Sequence, residues 1–314
     1  MLSTKGLTIQ QLRCFIAVAN EQQFTAAAQT LELAQPSISA QIHHLEEVLG
    51  TPLFHRDRRP VVLTDAGLEL LPLARRVLSS LDDVVHGVSE VEGLRRGHVT
   101  VGATPSLGAT LLPSALARFH ERYPGIAITI VERDSVDLFE SLESAAIDLA
   151  LVITSLPHPT LDSVALAVEQ LVVIVARTHR LAQRDGVSIA DLDGVPMIMF
   201  REGYDLRAAT FQAFAHADIT PRIALDGAEM GSVHSFVAAG LGAALVPSIV
   251  AVDDEDVKVL HMASPPLERT ISLVRPLQHT PSRAAAALSL EITNYLNVHG
   301  WPKKASLDLR LIHP

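Results

Sequence analysis

The apolar pattern of this chain changes at about residue 97, and this change constrains the fold more than any single motif. Before it, apolar residues recur every three or four positions, which is typical of amphipathic helices. After it, short apolar runs such as HVTVGA and IAITIVE alternate with helical segments such as ATLLPSALARFHERYP. Such alternation is typical of α/β folds with parallel sheets. The 314 residues are therefore predicted to form a mainly helical N-terminal domain followed by an α/β domain.

Three helices and a hairpin are predicted at the N-terminus. The first helix follows Thr8, a capping residue, and the second is the short segment FTAAAQTLE. The third runs from Gln35 to Leu49 and ends at Gly50, a typical C-terminal capping residue. The segment TPLFHRDRRPVVLT places two apolar runs around an Arg-Pro turn, as in a β-hairpin. This order indicates a winged helix-turn-helix over residues 1–64.

An apolar seam runs along the next segment, which is predicted to be one helix over residues 65–93. The seam residues are spaced alternately three and four apart, as in a coiled coil; they are Leu71, Ala74, Leu78, Leu81, Val85 and Val88. The spacing predicts that residues 65–96 form a linker that pairs two copies of the chain. The alternative is that this helix packs onto its own domain.

The α/β pattern after residue 97 occurs twice, which predicts two similar subdomains with a cleft between them. The α/β domain is expected to cover residues 97–300. Its first subdomain would hold about residues 97–166 and 268–300, and its second about 167–267. Residues 301–314 form a C-terminal tail whose role the pattern leaves open.

Charge and composition restrict the partners. The formal net charge is −10, but residues 1–64 are neutral, with five basic and five acidic residues. Three arginines crowd into HRDRRP, which creates one local positive spot. The single cysteine, Cys14, allows no intrachain disulfide, and no apolar run reaches the length of a membrane span. With no signal peptide recognised, a cytoplasmic protein without membrane contact is expected.

No catalytic or metal-binding constellation is recognised in the sequence. There is no nucleophile–base pair, no pair of carboxylates at a strand end and no His/Cys cluster with zinc spacing. His43 and His44 are adjacent and would project about 100° apart on a helix, so they are poorly placed to share a metal ion. The sequence predicts no enzyme, no cofactor and no metal.

Several blocks carry a family resemblance. They are QLRCFIAVANEQQFTAAAQTLELAQPSISAQIHHLEEVLGTPLFHR, LTDAG, VGATPSLGATLLPSALARFHERYP, IDLAL and FVAAGLGAALVP. Together they resemble the LysR-type transcriptional regulators over nearly the whole chain. The resemblance implies a winged helix-turn-helix, a dimerising linker helix and a periplasmic-binding-protein-like effector domain. It also implies that the chain binds double-stranded DNA as a dimer or tetramer and responds to a small metabolite.

The third helix is predicted to enter the major groove of DNA, where the first residues of a recognition helix meet base edges. Amide and hydroxyl groups on its polar face suit base reading; the face holds Gln35, Pro36, Ser37, Ser39, Gln41 and His43. Phosphate contacts are expected from Thr25 and from the wing residues Arg56, Arg58 and Arg59. The alternatives are a merely solvated polar face and an ion-pairing role for Arg56.

Two departures from the family pattern affect this helix. Ala34 stands where many relatives carry Ser or Thr, which removes a capping side chain before the helix. Ala40 and His43 stand where many relatives carry Arg or Lys. The resemblance therefore predicts the mode of DNA binding but not the operator sequence.

The turn at Thr104, Pro105 and Ser106 follows a strand and opens a helix, where free N–H groups and the helix dipole favour an anion such as a carboxylate. A small, anionic effector is therefore predicted. Five further residues complete the candidate effector site: Ser135, Phe200, Gly203, Tyr204 and Arg207. The alternatives are Ser106 as a helix cap, Tyr204 as hinge packing and Arg207 paired with Asp205.

A second class of function is considered beside gene regulation. A cytosolic solute-binding protein would use the same cleft, and its N-terminal helices would contact only a partner protein. The arginines of HRDRRP favour DNA binding over this alternative.

Overall fold

A computed structural model describes residues 6–55, 60–89, 96–154, 158–263, 266–277, 280–301 and 309–312. The chain divides into two compact units. The first comprises Met1–Gly93 with the short segment Glu143–Ala146, and the second comprises Leu94–Leu142 and Ile147–Pro314. No helix in the described ranges is both long enough and apolar enough to span a membrane.

The first unit has helices α1 (Ile9–Glu21), α2 (Phe24–Thr30), α3 (Gln35–Leu49) and α4 (Asp65–Ser89), and a hairpin of β1 (Phe54–His55) and β2 (Val62–Leu63). Thr8 begins α1 with a capping box, because its hydroxyl accepts from the N–H of Gln11 at 3.3 Å. Gly50 ends α3 at φ 72°, the left-handed conformation expected of a C-terminal cap. Apolar stripes of the helices and the hairpin share one buried core.

The start of α4 is fixed against the hairpin. Thr64 accepts from the N–H of Gly67 at 3.1 Å and donates its hydroxyl to the carbonyl of Pro52 at 2.8 Å. A methyl group on Gly67 would lie 2.3 Å from the carbonyl oxygen of Leu53. A side chain at this position would therefore push the helix away from the hairpin.

The apolar seam predicted along α4 is partly used within the first unit. Ala74 is 1% exposed in the core, and Leu71 and Leu78 pack against it while Leu81 is half-buried. The side chains of Val85 and Val88 lie outside the described part of the chain. Pairing of two chains along α4 stays a prediction, and the buried members of the seam also fit the alternative of packing onto their own domain.

The strands of the second unit are β3 (Gly97–Ala103), β4 (Ile126–Glu132), β5 (Leu149–Thr154), β6 (Leu161–Ala176), β7 (Gly186–Val187), β8 (Pro196–Phe200), β9 (Arg222–Ala228), β10 (Ala244–Pro247), β11 (Val257–Met262), β12 (Glu268–Pro276) and β13 (Leu309–Leu311). Its helices are α5 (Pro105–Ala109), α6 (Leu111–Arg122), α7 (Ser135–Glu143), α8 (Asp205–His216), α9 (Met230–Ala238) and α10 (Arg283–His299). Short 3₁₀ turns cover Arg180–Gln183 and Ile189–Leu192.

The main sheet has the order β4-β3-β5-β12-β6-β11-β7, and β10 and β13 also pair with β6. The long strand β6 joins the two subdomains, because its first half pairs with β12 and its second half with β10 and β11. The first subdomain has two buried apolar clusters, and the second has one.

The sheet is only partly parallel, which corrects the expectation from the sequence. β3 pairs in parallel with β4 and β5, but β6 pairs antiparallel with β10, β11, β12 and β13. A separate two-stranded sheet pairs β8 with β9 in parallel. Because each of β10, β11 and β12 pairs antiparallel with β6, these three strands run in one direction, opposite to β6.

The tail, whose role the sequence left open, adds to the sheet. Trp301 packs against the core of the first subdomain, and β13 pairs with residues 167–169 of β6. The described part of the tail therefore belongs to the fold of the second unit.

Candidate functional site

The polar residues predicted to read bases occupy one exposed face of α3. Gln35, Pro36, Ser37 and His43 are exposed, and Ser39 and Gln41 are half-buried. The opposite stripe is fully buried in the core of the first unit and consists of Ile38, Ile42 and Leu45. The helix is thus held from one side while its first turns offer hydroxyl and amide groups on the other.

The first turn of α3 lacks a side-chain cap. Ala34 occupies the capping position, and the N–H of Ser37 bonds only to the Ala34 carbonyl, at 2.9 Å. Pro36 is the second residue of the helix, where its missing N–H removes no intrahelical bond. Capping of this turn therefore depends on backbone groups alone.

The end of α3 is tied to the hairpin by a residue to which the sequence assigned no such role. Glu46 is 9% exposed, and its Oε1 accepts from the N–H of Leu53 at 2.8 Å. Phe54 in β1 packs 5.4 Å from the ring of Phe15 and 6.0 Å from that of Phe24. These contacts set the position of the hairpin relative to α3.

Of the four residues predicted to contact phosphates, Thr25 alone lies in the described part of the chain. Thr25 is exposed as the second residue of α2. Arg56, Arg58 and Arg59 fall between β1 and β2 in the chain and lie outside the described residues. Their roles in binding DNA stay predictions.

The second unit contains a small cleft between its two subdomains. It is lined by Thr104, Pro105, Ser106, Asp134, Tyr204, Asp205, Leu206, Met230 and Arg269. Four of the eight residues predicted to bind an effector are therefore together. Asp134, Asp205 and Arg269 were missed because their approach depends on chain segments that are far apart in the sequence.

Arg269 is the basic residue among those lining the cleft. Its guanidinium donates hydrogen bonds to two other side chains. Its Nε donates to Glu169 Oε1 at 2.6 Å, and its Nη2 donates to Ser106 Oγ at 2.9 Å. Glu169 is fully buried, and its other oxygen accepts from the N–H of Ile249 at 3.4 Å. The positive charge on Arg269 is thus balanced by a carboxylate beneath it.

Two carboxyl groups face the same cleft. Asp134 is 7% exposed, and its Oδ1 accepts from the N–H of Asp137 at 3.0 Å. Ser135 donates its hydroxyl to Asp205 Oδ2 at 2.6 Å, and its oxygen accepts from the N–H of Ile153 at 3.1 Å. Ser135 does not line the cleft and holds Asp205 from behind.

Burial raises the pKa of Asp205, and the nearby charge of Asp134 raises it further. The hydroxyl of Ser135 and the charge of Arg269 act in the opposite direction on the same pKa. The net direction is upward because removal from water disfavours the charged form of a carboxyl group.

The hydroxyl of Thr104 is buried at the wall of the cleft. Thr104 is 4% exposed, and its Oγ1 has no hydrogen-bond partner among the described residues. Its N–H and carbonyl are both used, the former bonding to Leu151 at 3.1 Å. The side-chain oxygen of this cleft residue therefore has unused hydrogen-bonding capacity.

The helix that opens at Pro105 is shorter than the anion-binding prediction assumed. α5 ends at Ala109 after five residues, so few aligned peptide dipoles contribute at its start. The N–H groups of Leu107 and Gly108 are already bonded to the carbonyl of Thr104. Ser106 does not cap the helix but accepts from Arg269.

Phe200, Gly203 and Arg207 are not among the residues that line the cleft. Phe200 is buried and stacks in parallel on Tyr204 at 5.5 Å, while the Tyr204 hydroxyl donates to Glu229 at 2.8 Å. Arg207 pairs with Asp226 and donates to the Phe200 carbonyl at 2.7 Å, so its ion-pair partner is not Asp205. Gly203, at φ 88°, is exposed next to this group.

Comparisons with known families cover both units. Residues 9–68 match the model of the bacterial regulatory helix-turn-helix protein, lysR family. Residues 92–296 match the model of the LysR substrate binding domain. The two matches occur in the order in which the structure has its units.

Relatives align along most of the chain. An uncharacterized HTH-type transcriptional regulator, YybE of Bacillus subtilis (strain 168), is 32% identical over 84% of this chain and 90% of its own. A full-length variant of OxyR from Pseudomonas aeruginosa has a similar fold, with a TM-score of 0.73 at 20% identity over 98% and 99% of the two chains. Full-length CbnR, in a crystal structure with its target DNA, has a TM-score of 0.66 at 25% identity over 92% and 99%.

Proposed function

The chain belongs to the LysR family of transcriptional regulators, which bind DNA and are not enzymes, and from this premise we propose that it binds promoter DNA as a dimer or tetramer. We further propose that it acts in the cytoplasm and responds to a small molecule held in the cleft of its second unit. Binding of that molecule would change the affinity or the arrangement of the protein on DNA.

The observation that carries this proposal is the exposed polar face of α3 opposite a fully buried stripe, followed directly by a hairpin. A helix held in this way can place its first residues at base edges. The crystal structure of the similar protein CbnR with its target DNA supports DNA binding by this chain.

Base reading and phosphate binding are assigned to different elements. The face of α3 from Gln35 to His43 has no Lys or Arg, so it supplies hydrogen bonds but no stable positive charge. The arginines between β1 and β2 would supply the phosphate contacts. Because the first unit of a single chain offers few positive charges, specific binding is expected to need two copies of the chain, each on its own half-site.

The test is a fluorescence anisotropy titration of the full-length protein with the DNA upstream of its own gene. Gln35→Ala should lower the discrimination between specific and scrambled DNA by about 1–3 kcal/mol. Arg58→Ala should weaken binding to both DNAs and lower the salt slope by about one. Gln10→Ala, at an exposed glutamine of α1, is the matched control and should change neither quantity.

Two results would oppose the proposal. One is the absence of specific, salt-sensitive binding to this DNA. The other is an equal effect of Gln35→Ala and Gln10→Ala on discrimination, because base reading would then not lie at the start of α3.

The anionic class of effector predicted from the sequence is weakly supported by the cleft. The five-residue helix α5 offers little dipole, and the guanidinium of Arg269 is already bonded to Glu169 and Ser106. A carboxylate would also face Asp134 and Asp205. The charges of the cleft therefore favour a different class of ligand.

A further inference from the structure

The balance of charge around the cleft is negative. Asp134 and Asp205 line it with two carboxyl groups, and Arg269 lines it with one guanidinium. That guanidinium is within 2.6 Å of the buried carboxylate of Glu169, so it offers little net charge to a ligand. A negatively charged group entering the cleft would meet more repulsion than attraction.

Thr104 gives an independent indication that a ligand is bound here. The residue lines the cleft, and its hydroxyl is buried without a hydrogen-bond partner among the described residues. Buried polar groups in folded proteins are nearly always hydrogen-bonded, and the exceptions need a functional or structural reason. A donor or acceptor on a bound molecule would supply the missing bond.

The rest of the wall suits a short apolar body. Leu206 is 3% exposed, and Met230 and the buried Tyr204 complete this side.

We propose that the effector is a small organic cation whose ammonium or guanidinium group donates N–H hydrogen bonds to Asp134 and Asp205 and to the hydroxyl of Thr104. The apolar part of the molecule would lie against Leu206 and Met230. This inference rests on the proposed function, because it takes the cleft of the second unit as the effector site.

The experiment titrates the full-length protein with three probes of equal chain length: n-butylammonium, n-butanol and butyrate. Binding is followed by isothermal titration calorimetry at millimolar probe concentrations. The expected result is that n-butylammonium binds at least tenfold more tightly than butyrate, with n-butanol between them. The same salt and pH are kept for all three, because screening weakens interactions of charges.

Asn variants isolate the two carboxylates without removing their structural bonds. In Asp134→Asn the side-chain oxygen can still accept from the N–H of Asp137, and in Asp205→Asn it can still accept from Ser135. Each variant should bind n-butylammonium at least fivefold more weakly. Asp185→Asn is the matched control, because it removes one negative charge from an exposed residue that does not line the cleft.

The proposal is overturned if butyrate binds as tightly as n-butylammonium or if the cation does not bind. It is also overturned if Asp134→Asn and Asp205→Asn bind the cation as Asp185→Asn does. A probe that binds in the cleft but leaves the affinity for the upstream DNA unchanged would contradict the effector role. Failure of the protein to bind DNA at all would instead count against the proposed function, so the two failures are separable.

Discussion

The buried hydroxyl of Thr104 leads to a prediction of unusual sign, since most substitutions in a protein interior destabilise it. Thr104→Val replaces the unpartnered hydroxyl by a methyl group of similar size and keeps the β-branched shape. The backbone at φ −69° and ψ 152° accepts valine without strain. The variant should therefore be more stable than the wild type in the absence of ligand.

The magnitude follows from the cost of an unsatisfied buried polar group, which is about 1–3 kcal/mol. We expect a gain of about 1–2 kcal/mol in the free energy of unfolding of the second unit. For a unit of this size each kcal/mol shifts Tm by about 2–4 °C, so the expected rise is about 2–8 °C.

The assay uses the single tryptophan of the chain. Trp301 packs against the core of the first subdomain, so its fluorescence reports the unfolding of the second unit rather than the first. Thermal or urea unfolding of the full-length protein, followed by this signal, measures the change. The same variant should bind n-butylammonium more weakly, because the ligand loses one hydrogen bond.

Ser106→Ala is the matched control, two residues away. Its hydroxyl accepts from Arg269, so its removal leaves part of a buried charged donor without a partner and should cost about 1–3 kcal/mol. A fall in the Tm of Thr104→Val would refute the reasoning, because it would mean that the hydroxyl makes a hydrogen bond in the folded protein.

Three further variants test the structure elsewhere. Ala34→Ser supplies the side-chain cap that α3 lacks and should raise the stability of the first unit by about 1 kcal/mol, measured by far-ultraviolet circular dichroism. Gly67→Ala places a methyl group 2.3 Å from the carbonyl oxygen of Leu53 and should lower the free energy of unfolding by about 1–3 kcal/mol. The control Gly231→Ala meets nothing within 4 Å and should be neutral or stabilising. Equal effects of the two variants would contradict the close approach of α4 to the hairpin. Asp205 has a raised pKa in the folded protein, so its contribution to stability is present below its ordinary pKa near 4 and is lost as the pH rises through the folded value. Asp205→Asn should remove this part of the pH dependence of the tryptophan-detected Tm, and an unchanged profile would show that another group is responsible.

Short-range patterns in the sequence predicted the elements of the first unit well. The stripe on α3, the cap at Thr8 and the stop at Gly50 depend on residues a few positions apart, so they can be read from spacing and residue type. The packing partner of α4 could not be read in this way, because one apolar seam fits both another chain and the chain's own core. The burial of Ala74 shows that part of the seam is used within the unit.

The strand–helix alternation predicted an α/β domain with two subdomains but not the direction of its strands. A βαβ unit returns its strand in parallel, and the alternation predicted only such units, whereas β10, β11 and β12 each pair antiparallel with β6. The two α/β subdomains were therefore visible in the sequence, and the mixed direction of the strands was not.

The sequence by itself predicted the helices and hairpin of the first unit, the polar face of α3 and the residues that open the cleft at Thr104. The tertiary structure decided the charge of that cleft. Glu169 and Arg269 are 100 residues apart in the chain, and Ser135 and Asp205 are 70 apart, yet both pairs bond directly. Periodicity reports on neighbours along the chain, whereas electrostatics depends on distance in space. For this physical reason the sequence predicted an anion, whereas the charges of the folded cleft lead us to propose a cation.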